Sequence, residues 1–318
     1  MMLRWLNDIR CRIGARFARS KWPKGIGLAC RIAPDTTSLI RHRPRRAPAL
    51  PLPRRSHLIY HQTTVDRGAA ENSLATLAPQ IPLEDEVLVL DVGAAADASL
   101  LERFRRHEWS TYSACQANQP TQRSYTFGLN TGLAMLKGAE LFVWRTDYVY
   151  PPDLMARYLR SLEQAWFAVP YDVLVGHREI DSRFVAGERH RLDPFDESFW
   201  AARSTRLSLY ETQDPALFAI RRELWESIGG LNHELWGYGW QFAEFAARVR
   251  AACPESRIDY FAGAPPVHQT HEGSQMHQPV ERKDEAEAGR QRFVRFLGSE
   301  AAYEIYRLRQ NLPSRRQP

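Results

Sequence analysis

Several groups of residues in this sequence are of types that ligate cations, move protons or stack against rings, and each also has a plain structural reading. Asp147 ends the apolar run ELFVWRTD ahead of Pro151 and Pro152. A carboxylate there is available to a ligand, or it solvates the turn and caps the next helix. His268 and His271 stand three apart in VHQTHEGS; imidazoles are common metal ligands, and a loop histidine is as often solvent-facing. Trp236, Tyr238 and Trp240 alternate with glycine. Flat rings spaced this way in a loop suit a sugar platform, and core packing accounts for at least one of them. Asp91 closes the apolar segment EVLVLD, while Gln62 and Thr63 follow SHLIYH.

Strands alternating with helices must position these residues. Ser56–His61 reads as a strand, Ala69–Ala78 as a helix, Glu86–Asp91 as a continuous apolar strand, Ala98–Arg106 as a helix and Trp109–Ala117 as a strand. Two successive strand-helix-strand crossovers predict an α/β fold, a mainly parallel sheet with helices on both faces. In such sheets ligands bind at the carboxyl ends of strands, here near His61 to Thr63 and Asp91. A helix then carries Leu129, Leu133 and Leu136, with Gly138 as its expected C-terminal cap, and Glu140–Trp144 is a strand ending in a polar turn at Arg145 to Asp147. Further on come a helix from Asp153 to about Glu163, strands at Val173–Gly176 and Leu217–Ile220, and a helix from Glu223 stopped by Gly229-Gly230. An amphipathic helix over Trp240–Ala252, a strand at Arg257–Phe261 and a charged helix from about Glu281 complete the chain.

With 318 residues, 44% hydrophobic and 11% aromatic, the chain can bury a sizeable core, which excludes wholesale disorder and collagen-like architecture. Its four cysteines lie far apart, so free thiols in a reducing compartment are expected. Of the net charge of +6, residues 1–55 carry +12 and the remainder −6. In this arm Leu3, Leu6, Ile9, Ile13 and Phe17 recur at helical spacing between arginines, a pattern that suits an anionic membrane surface. The alternatives are a disordered basic extension with accidental periodicity, a misassigned start, and nucleic-acid contact, which is not expected. A Pro/Arg-rich linker, Arg41 to Arg55, follows. The expected division is therefore arm and linker 1–55, an α/β domain 56–280, and C-terminal helix and tail 281–318. No run is long and apolar enough to span a membrane, so a cytoplasmic chain, or one peripheral at the membrane's inner face, is expected.

The order of parts over Ser56 to His277 resembles the inverting GT-A glycosyltransferases of the large family-2 type, with a C-terminal half similar to the galactosyltransferase group. Three segments carry the resemblance. AIRRELWESIGGLNHELWGYGWQFAEFAARVRAA resembles that group's helix, Gly-Gly turn, aromatic-Gly acceptor loop and acidic helix start; NTGLAMLKGAELFVWRTD resembles the Asn-x-Gly helix and the strand bearing Asp-x-Asp; VHQTHEGS resembles the late metal-ligand histidine.

The resemblance implies a nucleotide-sugar donor, most simply a UDP-sugar, and transfer with inversion to a hydroxyl of a glycan or glycolipid. It implies Mn²⁺ or Mg²⁺ held by Asp147 with His268 or His271, since a departing diphosphate needs fixed positive charge. Gln62, Thr63, Asp91, Asn130, Arg145 and Asp147 fall in the nucleotide-sugar region, and Trp236, Tyr238, Trp240 and Gln241 in the acceptor region. Two departures stand out. Arg145 replaces the first acid of Asp-x-Asp, where it can face phosphate, and Gln241-Phe242 replaces the Glu-Asp that supplies the usual base. Glu244, one turn beyond Gln241, is the base nearest in sequence; it also matches an acid that the family often uses structurally. A GT-A fold kept as a non-catalytic nucleotide- or glycan-binding protein is the competing expectation, and a different α/β function such as nucleotidyl transfer is a third.

Overall fold

The computed structural model of the chain describes residues 53–62, 65, 67–93, 97–116, 125–170, 172–176, 207–211, 217–232, 235, 241–261, 266–269, 291 and 294–295. The basic arm, Thr63, residues 236–240, His271 and nearly all of the C-terminal tail lie outside them.

The first half runs β1 (Arg55–Gln62), α1 (Arg67–Leu77), β2 (Glu86–Gly93), β3 (Trp109–Gln116), α2 (Tyr125–Met135), β4 (Glu140–Arg145) and β5 (Tyr148–Val149). The second half runs α3 (Leu154–Gln164), β6 (Phe167–Pro170), β7 (Asp172–Gly176), β8 (Leu207–Glu211), β9 (Phe218–Arg221), α4 (Arg222–Ile228), α5 (Gln241–Ala252), β10 (Ile258–Phe261) and β11 (Val267–His268). Among the described residues a seven-stranded sheet has the order β10-β6-β9-β4-β1-β2-β3. Every pairing in it is parallel except those of β9, which runs antiparallel to β4 and β6. A four-stranded sheet, β5-β11-β7-β8, lies beyond the end of β4.

Both faces of the large sheet are buried, as continuous apolar strands require. Alternation along β1, β2 and β4 sends Ile59, Val87, Val89, Phe142 and Trp144 to one face, where α1 and α3 supply Leu74, Leu77, Leu154 and Tyr158. It sends Leu58, Leu88, Leu90, Leu141 and Val143 to the other, under Leu129 and Leu133 of α2, Trp225 of α4 and Phe245 of α5. The expected α/β architecture is thus observed.

Some local expectations change. Gly138 is not a helix cap: α2 ends at Met135, and the described glycines with left-handed backbone are Gly229 and Gly230, with φ of 74° and 71°. Gly138 is instead a point of close approach, since a Cβ there would lie 2.7 Å from the carbonyl carbon of Arg55. The expected helix after β2 is a 3-10 stretch, Ala98–Phe104, started where Asp97 accepts from the Ser99 amide at 3.0 Å. Arg55, assigned to the linker by composition, already belongs to β1 and holds Asp85 at 2.8 Å.

Candidate active site

The parallel register places the carboxyl ends of three strands side by side: His61 of β1 pairs with Asp91 of β2, and Tyr60 of β1 with Arg145 of β4. Beyond Arg145 the chain turns through Thr146 and Asp147 into β5. The turn is pinned from several sides. The Thr146 amide donates to the Tyr60 carbonyl at 3.2 Å, and the Thr146 hydroxyl meets His61 Nδ1 at 2.7 Å. The Arg145 carbonyl accepts from Tyr150 at 2.6 Å and from Ser73 at 3.1 Å. Asp147, at 1% exposure, is therefore held in place rather than solvating a turn.

β5 pairs antiparallel with β11, which sets Tyr148 opposite His268. The Gln269 amide donates to the Asp147 carbonyl at 2.8 Å, and the Gln269 side chain ties β11 to α1 through the Ala69 carbonyl at 2.9 Å. The outcome is that His268 Nε2 lies 3.3 Å from Asp147 Oδ2, although 121 residues separate them in sequence. Of the two histidines proposed from sequence, His268 is brought to Asp147, and His271 lies outside the described residues.

Arg145 occupies the same carboxylate. Its Nη2 donates to Asp147 Oδ2 and, at 2.6 Å, to the Tyr125 hydroxyl. The guanidinium carbon lies 4.4 Å from the Tyr125 ring centroid and 5.3 Å from that of Tyr148. Burial disfavours its charge, but the adjacent Asp147 carboxylate, with Tyr125 and Tyr148, outweighs that and raises the guanidinium pKa above its already high ordinary value.

At the neighbouring strand end, Asp91 Oδ2 accepts from the Asp97 amide at 2.9 Å and the Tyr112 hydroxyl at 2.8 Å. Its buried Oδ1 has no partner among the described residues. Burial lowers the His61 pKa against the upward pull of Asp91, Asp97 and Asp147, so this ring is neutral at neutral pH. Gln62 ends β1 on the same rim.

Two assignments drawn from the resemblance are corrected. Asn130 does not face this rim: it is fully buried, its Nδ2 donating to the Leu231 carbonyl at 2.8 Å and its Oδ1 accepting from the Leu231 amide at 2.9 Å. It fastens α2 to the Gly229-Gly230 turn. Glu244 is likewise not placed as a base. It is fully buried and takes both Arg248 Nε, at 2.6 Å, and Nη2, at 2.8 Å, while Arg248 Nη1 donates to the Ile228 carbonyl at 2.6 Å. This bidentate pair, with its cation tied in turn to α4, packs α5 against the domain. Gln241 is buried, and its Oε1 has no partner among the described residues; the Phe242 ring lies 6.1 Å from that of Tyr125, which carries Arg145. The start of α5 thus adjoins the Arg145 site through aromatic packing. Thr63, Trp236, Tyr238 and Trp240 lie outside the described residues.

The sequence reading did not select Tyr125, Tyr148, Thr146 or Tyr112. The i, i+2 and i+3 spacing of Arg145, Asp147 and Tyr148 is a signal for two of these contacts; Tyr125 carries none, lying 20 residues from the arginine it stacks on.

Asp147 and His268 fit a divalent cation in kind and spacing. Ligands on adjacent corners of an octahedron with bonds near 2.1 Å stand roughly 3 Å apart, and the observed separation is 3.3 Å. They are two ligands, and among the described residues no set of three His, Cys, Asp or Glu converges.

No protein-family model matches the chain, and no curated protein matches it by sequence. Solved structures do. A mannosyltransferase from Pyrobaculum calidifontis, PcManGT, in complex with GDP-mannose and Mn²⁺, superposes with a TM-score of 0.51 over 95% of this chain and 81% of its own, at 15% identity. The fold is GT-A. Staphylococcus aureus TarS residues 1–349 with UDP-GlcNAc matches 78% of this chain and 67% of its own at 13% identity and a TM-score of 0.46. Glucosyl-3-phosphoglycerate synthase from Mycobacterium tuberculosis with Mn²⁺, UDP and phosphoglyceric acid matches 77% and 79% at 13% identity and 0.42. The GT-A frame places the carboxyl ends of β1, β2 and β4 on the ligand-binding rim that open α/β sheets share.

Proposed function

We propose that the chain is a glycosyltransferase that takes a sugar from a nucleotide-sugar, most simply a UDP-sugar, and passes it with inversion to a hydroxyl of a glycan or glycolipid. The observation that carries this reading is the convergence of Asp147 and His268 beside the buried Arg145, at the strand ends of a GT-A sheet. Asp147 and His268 would hold Mn²⁺ or Mg²⁺, which supplies positive charge to the departing diphosphate. Arg145 adds a fixed cation on the same rim. Asp91 and Gln62 would contact the nucleoside, with His61 between Asp91 and the Thr146 hydroxyl. The buried Gln241 amide would serve the acceptor side, together with Trp236, Tyr238 and Trp240, which directly precede it in sequence. Because Glu244 is committed to Arg248, the base comes from the acids of the 177–216 segment, Asp196, Glu197 or Asp214. The arm, residues 1–20, binds anionic bilayers as a surface helix.

The bidentate Glu244–Arg248 pair and the phenyl ring of Phe242 also favour a second reading, a GT-A protein that binds nucleotide or glycan without transfer. The deciding experiment follows thermal stability with UDP and GDP, with and without Mn²⁺, and then donor turnover with UDP- and GDP-sugars. Ligands that bind only the native state raise its stability by mass action. Metal-dependent stabilisation with turnover supports the transferase, stabilisation without turnover the second reading, and no stabilisation by any diphosphate rejects both.

A further inference from the structure

We propose that Arg145 is a placeholder cation: it holds Asp147 in the unliganded protein, and passes its N–H fork to the phosphates when a nucleoside diphosphate binds. Metal and nucleotide then enter as a pair. The inference rests on the nucleotide-sugar reading and adds to it the source of the coupling.

The argument starts from one oxygen atom. Asp147 Oδ2 is the atom that His268 Nε2 faces at 3.3 Å, and it is also the atom to which Arg145 Nη2 donates. A divalent ion shared by Asp147 and His268 has to displace, or sit against, a guanidinium at that same oxygen. The cation is not easily given up there. Its side chain is 11% exposed, a guanidinium stays charged at any ordinary pH, and this one lies against the carboxylate and two tyrosine rings. Cation–cation repulsion at contact distance in a partly buried site is large, so Arg145 opposes metal binding at Asp147 Oδ2.

A diphosphate changes that balance. Among the described residues, the Arg145 guanidinium donates through Nη2 alone, to Asp147 and Tyr125; Nη1 and Nε donate to no described residue. Five N–H groups in a planar fork match phosphate oxygens, and the guanidinium has donors left for them. The Tyr125 and Tyr148 rings, at 4.4 and 5.3 Å, keep the guanidinium on the rim while it turns from carboxylate to phosphate. Released from Arg145, Asp147 presents its full charge to a cation, and the diphosphate supplies the remaining oxygens. By linkage, whatever factor the diphosphate adds to metal affinity, the metal adds to diphosphate affinity.

Calorimetry on the full-length wild type and on Arg145→Gln, with Mn²⁺ alone, UDP or GDP alone, and both together, tests this. In the wild type, Mn²⁺ alone binds weakly and the diphosphate tightens it by about tenfold or more. In Arg145→Gln, Mn²⁺ alone binds about tenfold more tightly than in the wild type, the diphosphate alone more weakly, and the coupling factor becomes smaller than in the wild type while staying above one, because the diphosphate still supplies oxygens to the metal. Unchanged Mn²⁺ affinity in a folded Arg145→Gln protein, with the coupling intact, overturns the inference and leaves the functional reading standing. Arg145→Lys keeps the charge and loses the fork, so it serves if the glutamine variant does not fold. It should keep the weak binding of Mn²⁺ alone and lose affinity for the diphosphate; undiminished diphosphate binding overturns the proposal. A wild type that binds neither UDP nor GDP with Mn²⁺ overturns the nucleotide reading, and this inference with it.

Discussion

β1 carries two buried histidines four residues apart on one face, and the two ends of the sheet use them differently. At the amino end His57 is saturated. The Trp144 indole N–H, which can only donate, points at His57 Nδ1 at 3.0 Å, so the ring proton is on Nε2 and goes to Asp85 Oδ2 at 2.9 Å. Asp85 is closed off in turn by Arg55, and the His57 ring stacks on Phe142 with centroids 4.7 Å apart. At the carboxyl end His61 touches Thr146, Asp91 keeps a buried oxygen without a partner among the described residues, and Arg145 keeps unused donors. The same contrast separates the two buried arginine–carboxylate pairs: Arg248–Glu244 is bidentate within one helix, whereas Arg145 reaches Asp147 through a single nitrogen that it also shares with Tyr125. A closed polar network fixes the fold, and an open one of similar composition is available to a ligand.

The largest expected effect breaks the closed pair. Glu244→Gln leaves Arg248 buried beside a neutral amide and should cost about 3–5 kcal/mol of stability. Chemical denaturation measures this, and a fully stable Glu244→Gln protein would put Glu244 back among the candidate bases. Asp147→Asn should do the reverse, lowering metal-dependent UDP or GDP binding by about 10- to 100-fold while stability changes less than in Glu244→Gln; equal losses of stability would erase the distinction between the two pairs.

A pH titration sharpens the comparison at the amino end. Burial, the largest influence on His57, lowers its pKa, against the upward pull of Asp85 and with smaller downward contributions from Arg55 and His107. The unfolded chain therefore takes up a proton that the folded chain refuses. Stability is full above the ordinary histidine value near 6.5 and falls as pH drops from there toward the folded-state value, at about 1.4 kcal/mol for each unit of depression. Trp144→Phe removes the N–H aimed at Nδ1. It should cost about 1–2 kcal/mol at neutral pH and make this acid limb shallower, and an unaltered limb would mean that desolvation alone keeps His57 neutral.

Much of the frame was legible in the sequence, because apolar runs such as EVLVLD and the Gly229-Gly230 stop are local signals. Strand order was less so. β9 is inserted antiparallel between β4 and β6 by contacts that no periodicity encodes, and Phe167–Pro170 is too short a run to register as a strand. At the site, Asp147 and His268 were legible as residue types, and their meeting depends on the β5–β11 pairing. Asn130 was misread because its partner, Leu231, lies 101 residues away. Glu244 was misread for the opposite reason: Arg248, four residues on, is the ordinary helical ion-pair spacing, and the absence of acids at Gln241 and Phe242 drew attention to Glu244 as a replacement base.

The smallest expected effect on the folded domain comes from the arm. Deleting residues 1–50 should abolish co-sedimentation with anionic vesicles and leave the melting temperature of the domain nearly unchanged, because β1 begins only at Arg55. Equal sedimentation of truncated and full-length protein would reject the membrane-surface helix.

The central claim is that Asp147 and His268 together hold a divalent ion with a nucleoside diphosphate. Pulsed electron paramagnetic resonance of the full-length protein with Mn²⁺ and UDP or GDP tests it most directly, since a ligating imidazole couples its nitrogen to the manganese spin. The account predicts a nitrogen coupling in the wild type that disappears in His268→Ala, with bound Mn²⁺ sharply reduced in Asp147→Asn. Bound Mn²⁺ without nitrogen coupling in the wild type, or a coupling that survives His268→Ala, would contradict it.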